Sequence, residues 1–125
     1  MFDLQPNHLR NDVVSLFPLQ ENDFEELYTL ANDELLWEQH PNKLRYQRAV
    51  FQNYFEGAMV SKGAFIIRDT KTNEAIGSSR FYDYNEKENT TDASLLIGYT
   101  FIGRKFWRNN YNKSLKKIML DYAFQ

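Results

Sequence analysis

The chain has no cysteine. That absence removes disulfides, thiolate metal sites and cysteine nucleophiles together, and it fits a reducing compartment. Long apolar runs are missing too. Nothing approaches the roughly 18 residues a membrane helix needs, and Met1 to Arg10 lacks the apolar stretch of a secretory signal. A soluble, cytoplasmic protein is expected, with no membrane partner and no metal centre. Internal repeats and low-complexity segments are also absent. What the chain does have is material for a core. Its 125 residues are 42% hydrophobic and 16% aromatic, enough for one domain over residues 1–125.

Positive charge is scarce except at one end. Residues 1–97 hold nine Lys/Arg against sixteen Asp/Glu, whereas residues 98–125 hold six against one. An acidic body with one basic end, at a pI of 5.7, argues against a general nucleic-acid binder, which spreads cations over a whole face. A small polyanion is the better partner. Arg104, Lys105 and Arg108 sit in a loop after an apolar strand, and Lys113, Lys116 and Lys117 follow in a helix. Strand, basic loop and helix start together make an anion site, because free backbone N–H groups and the helix dipole both face the ligand. Taken alone, the three helix lysines read equally well as a solvated face.

Residues 1–11 read as a flexible tail. Val13 to Phe17 reads as a strand stopped by Pro18, and a helix capped at Asn22 or Asp23 runs to about Ala31 with Phe24, Leu27, Tyr28 and Ala31 on one face. An ordered loop through Trp37 and His40 follows, since Pro41 disfavours helix at His40. A second helix is expected over about Lys43 to Val60. The period then changes to two. Strands are expected over Ala64 to Arg68, Ala75 to Tyr84 and Ala93 to Phe101, joined by polar turns. The last strand puts Leu95, Ile97, Tyr99 and Phe101 on one face, and its apolar character on both faces predicts a central position. A final helix spans about Asn110 to Phe124. Phe51, Phe55, Phe65 and Phe81 are core candidates.

The order β-α-α-β-β-β-α, with Ile97-Gly98-Tyr99 in a strand, Trp107 ten residues beyond Ile97, a helix ending Leu120-Asp121-Tyr122-Ala123-Phe124 and an Ile76-Gly77 step, resembles the Gcn5-related N-acetyltransferases (GNAT). The branch it resembles is that of the ribosomal-protein N-terminal acetyltransferases. The resemblance implies an α+β fold with a mainly antiparallel sheet flanked by helices, here without the C-terminal strands and helix of the full fold. It also implies transfer of an acyl group from acetyl-CoA to an amine. The family's phosphate-loop pattern falls on Trp107-Arg108-Asn109-Asn110-Tyr111-Asn112, with Asn110 and Asn112 at its two small positions. Asparagine is the non-glycine residue that best tolerates left-handed backbone. The cofactor-binding set implied is Phe101, Arg104, Trp107, Arg108, Asn109, Asn110, Tyr111, Asn112 and Lys113.

The place where similar sequences carry a carboxylate before the I-G-Y step holds Leu96, so no catalytic residue is assigned. Glu86, Glu88 and Asp92 read as solvated turn carboxylates. Trp37 and His40 are acceptor-side candidates, and the amine acceptor itself is unspecified. Two functional classes stand at this point. One is an acetyl-CoA-dependent N-acetyltransferase. The other is a non-catalytic GNAT-like module that binds CoA or another protein. An uncovered sheet edge predicts a second copy or another partner against it.

Overall fold

The computed structural model describes residues 3–86 and 93–124. Its elements are β1 (Val14–Pro18), α1 (Phe24–Ala31), α2 (Arg48–Ser61), β2 (Ala64–Asp69), β3 (Ala75–Glu86), β4 (Ala93–Ile102) and α3 (Tyr111–Ala123), with single 3-10 turns at Glu21–Asp23, Glu34–Trp37 and Arg104–Phe106. The strands form one antiparallel sheet in the order β1-β2-β3-β4. This is the α+β architecture the element order predicts.

Strict alternation in β2 sets up two cores. Ala64 and Ile66 face α1 and α2, joining Leu27, Trp37, Phe51, Tyr54 and Phe101, while Phe65 and Ile67 face α3, joining Ile76, Phe81, Ile102, Leu115 and Met119. A strand covered on both faces carries apolar residues at every position, and β2 does. All four core candidates are buried. Each large side chain placed this way contributes about 1.5–3 kcal/mol of burial, so the sheet is held from both sides.

Three expectations need adjustment. Residues 3–11 pack instead of trailing: Leu9 is buried in the α3-side core, its carbonyl accepts from the Leu16 amide at 2.9 Å, and Gln5 donates to the Ala64 carbonyl at 2.7 Å. Helix α2 starts at Arg48, five residues later than the expected Lys43. Gln47 is extended (φ −79°, ψ 133°), and the preceding Tyr46 carbonyl accepts the Tyr28 hydroxyl at 2.8 Å, which ties down residues 43–47 as turns. Third, β4 lies at the edge of the sheet among the described residues, although helices cover both faces of its C-terminal half.

The period-two reading of β4 also fails at one residue. Arg80 pairs with Gly98 but Ser78 pairs with Phe101, so β4 carries one extra residue, and Tyr99 takes it up in the left-handed region at φ 53°. A bulge reverses the facing of everything beyond it. Leu95 and Ile97 pack on the α3 side, whereas Phe101 points into the Trp37 and Phe51 cluster. Next to the bulge, β3 and β4 approach so closely that a Cβ on Gly77 would stand 2.0 Å from the Phe101 carbonyl oxygen. Glycine is required there.

Candidate active site

The bulge divides the open edge of β4 into two grooves that share His40 and Thr100. The first, about 300 Å³, runs from β4 to the start of α3 and is lined by His40, Thr100, Phe106, Trp107, Asn112 and Lys116, with the strand residues Phe101 and Ile102 as its floor. The second, about 470 Å³, lies on the α2 side between His40, Asn42, Arg45, Tyr82 and Tyr99.

The wall at the start of α3 has the chemistry of an anion cradle. Asn110 makes no side-chain cap, the first turn contains no acidic residue, and the amides of Tyr111, Asn112 and Lys113 have no acceptor among the described residues. Such donors carry about half a positive charge in aggregate, and of the residues that bear them here Asn112 and Lys113 are exposed and Tyr111 is half-buried. Asn110 sits at φ −82°, ψ 12°, and neither it nor Asn112 has positive φ. The loop therefore keeps its shape with no left-handed residue, and glycine is not needed for its conformation.

The expected cofactor-binding residues separate into three groups. Trp107 and Asn112 line the first groove; Trp107 is half-exposed and its indole N–H donates to the Ile102 carbonyl at 2.7 Å. Arg108, Asn109, Asn110 and Lys113 are exposed around the helix start, and neither Arg108 nor Lys113 forms an ion pair among the described residues. The rest serve the scaffold. Phe101 lends its backbone to the groove but buries its ring against Trp37 at 5.3 Å. Arg104 pairs with Asp33 at 2.5 Å, and the adjacent Lys105 pairs with Glu74 at 2.7 Å. Tyr111 turns toward the β2–β3 turn and donates to Asp69 at 2.5 Å, a bond that holds its phenol up at about 12 and depresses the Asp69 carboxyl.

The acceptor-side candidates also part company. Trp37 is fully buried, donates its indole N–H to the Ala31 carbonyl at 2.8 Å and packs on Phe101. It supports the loop that carries His40. The His40 ring lies 4.8 Å from Trp37, edge to face, and borders both grooves. Partial burial, helped by the Arg45 charge, lowers its pKa from the ordinary 6.5. A neutral imidazole is thus favoured at neutral pH, with a lone pair free to take a proton. Glu88 and Asp92 lie outside the described residues.

Lys116, read from sequence only as one of three helix lysines, is absent from the expected cofactor-binding set. It is half-buried in the first groove, donates to Thr100 Oγ1 at 3.2 Å and has its pKa lowered by desolvation. Thr100 in turn bonds Ser79 at 2.7 Å, which anchors the lysine to the sheet. The available signal was spacing: Lys116 stands one turn after Asn112 and beside the buried Leu115 and Met119, at the edge of the packed stripe.

Residues 14–125 match the family model of the acetyltransferase (GNAT) domain. The chain belongs to the GNAT acetyltransferase family. Among solved structures, this GNAT domain is similar to a GCN5-related N-acetyltransferase from Brucella melitensis, with 17% identity and a TM-score of 0.74 over 96% of this chain and 57% of that one. It is also similar to a GNAT-family acetyltransferase from Bacillus anthracis, with 13% identity and a TM-score of 0.69 over 93% and 65% of the two chains. At such identities the likeness is one of fold. The chain spans about three-fifths of the length of these structures. No curated protein matches it in sequence.

Proposed function

We propose that this GNAT domain is an acetyl-CoA-dependent N-acetyltransferase whose coenzyme diphosphate is held by the amides opening α3. The observation that carries this reading is the uncapped, acid-free start of α3 beside a groove floored by β4. Arg108 and Lys113 supply unpaired positive charge around the helix start, and Lys116 supplies more within the groove. The far edge of β4 has no strand bonded to it among the described residues, so it offers peptide groups to the amide-bearing arm of CoA. When bound, acetyl-CoA supplies an activated thioester carbonyl. His40 takes the proton from the acceptor amine, because it borders both grooves and its environment favours the neutral form. The resemblance to the ribosomal-protein branch makes a protein N-terminus one acceptor to try.

Steady-state acetylation of an amine panel by wild-type protein and His40→Gln tests the mechanism. Loss of the base costs about 10²–10⁴-fold in turnover. The wild-type rate rises with pH along a limb centred below 6.5. Equal turnover by the variant would remove His40 from the chemistry. A second reading, a CoA-binding module without turnover, is favoured by one observation: no Asp or Glu lines the first groove among the described residues. CoA binding with no acetylation of any amine would establish it. The open β4 edge before the grooves, with Leu96 exposed, supports association with a second copy or another partner. A monodisperse monomer in sedimentation at high concentration would oppose that.

A further inference from the structure

Arg80 sits in β3 with only 7% of its surface exposed, yet its side chain has neither a hydrogen bond nor an ion pair among the described residues, and its Nε is fully buried without a partner. The ionisable groups that act on it among the described residues are Tyr54, Tyr99, Tyr82 and Arg45, with no carboxylate among them. What surrounds the guanidinium is aromatic. Its carbon lies 3.7 Å from the Tyr99 ring centre and 5.5 Å from that of Tyr54. Ring faces return about 2 kcal/mol to a desolvated cation, less than the several kcal/mol that removing it from water costs. Natural sequences tolerate such an arginine where a carboxylate completes it through two parallel N–H···O bonds.

There is room for that carboxylate. Both terminal nitrogens lie toward Gly57 of α2, where an added Cβ would already stand in ordinary contact with them at 3.8–3.9 Å, so the helix closes that side and the opening for a ligand is the groove that Arg80 lines. Arg80 lines a groove of about 480 Å³ with Ser61, Tyr82, Asp83 and Tyr99. Tyr82 and Tyr99 also border the His40 groove, and there Arg45 lies 4.8 Å over the Tyr54 ring without an ion pair of its own. Asp83 is the one acid among the residues lining the Arg80 groove, and it does not pair with Arg80. Two uncompensated guanidiniums flanking Tyr54 make this side of the sheet attractive to anions.

We propose that Arg80, framed by Tyr82 and Tyr99, is a recognition site for a carboxylate carried by the amine acceptor. The assignment of the carboxylate to the acceptor rests on the acetyltransferase reading above. A planar carboxylate fits a single buried fork, whereas the free helix amides that suit a phosphate lie at the start of α3.

The test is titration of the full chain with glutarate, with its neutral diamide and with inorganic phosphate, and in parallel with CoA, observing the Arg80 Nε–H resonance. Glutarate binds in the millimolar range and shifts that resonance, and the diamide does neither. Arg80→Gln weakens glutarate at least tenfold and Arg80→Lys less, while CoA affinity stays within twofold. The assignment is overturned if glutarate fails to bind, binds without moving the Arg80 resonance, or is outcompeted there by phosphate. If Arg80→Gln does not fold, the wild-type resonance and the diamide control still decide. Glutarate binding at Arg80 without CoA binding would support the anion site and remove the acetyltransferase reading.

Discussion

Replacing Lys116 by Met separates what the first groove does for folding from what it does for binding. The side chain is half-buried and forms one hydrogen bond, to Thr100 Oγ1 at 3.2 Å, with no carboxylate nearby. A bond from a charged donor contributes about 1.5–3 kcal/mol. Against it stands the desolvation that lowers the lysine pKa, and methionine adds an apolar terminus worth about 0.8 kcal/mol per buried CH₂. These nearly cancel, so Lys116→Met should fold within about 1 kcal/mol of wild type. CoA affinity, by contrast, should fall about tenfold, the equivalent of about 1.4 kcal/mol, because a cation next to the bound anion is lost. The pH dependence supplies an independent sign. With its folded pKa below the unfolded 10.5, Lys116 binds fewer protons folded than unfolded in the window between the two. Wild-type stability therefore rises relative to Lys116→Met as pH climbs through that window. Urea denaturation of both proteins at neutral pH and at pH 10.5, with CoA titrations on the same samples, measures all three quantities. A variant that loses more than about 2 kcal/mol, with a pH-independent difference and unchanged CoA affinity, would show that Lys116 is a structural prop.

Trp37→Ala removes a fully buried ring together with its bond to the Ala31 carbonyl, and should cost about 3–5 kcal/mol in denaturant unfolding; a loss below 1 kcal/mol would contradict its place as a core residue. Tyr111→Phe removes the phenol raised to about 12 by Asp69. The bond stabilises the fold below pH 10, and wild type should lose stability relative to the variant between pH 10 and about 12, where the unfolded phenol ionises first. Parallel curves over that range would place the Tyr111 hydroxyl away from Asp69.

The fold was legible because its elements obey simple periods. Phe24, Leu27 and Ala31 mark one helical face, and the alternation of Ala64 to Ile67 marks a strand buried twice. The start of α2 was not, since Tyr46 keeps helical spacing with Ala49 and Val50 while a hydroxyl from Tyr28 holds the Tyr46 carbonyl in a turn. The facing of Phe101 was also hidden. A one-residue bulge leaves no mark in composition, and Tyr99 is not a residue type that advertises positive φ. The site was readable as a region but not as a residue list. Loop cations looked equivalent by charge, yet Asp33 and Glu74 claim Arg104 and Lys105. Those acids are distant in sequence. Lys116 and Arg80, in turn, became conspicuous only through burial, which requires the packed neighbours to be known.

The central claim is that the opening of α3 grips the diphosphate of CoA. Calorimetric titration of CoA into wild-type protein and into the Arg108→Glu, Lys113→Glu double variant tests it most directly, since both residues are exposed and unpaired among the described residues. Saturable binding to wild type, weakened at least tenfold by the charge reversal and further by added salt, is the predicted result. No binding at millimolar CoA, or equal binding by both proteins, would contradict it.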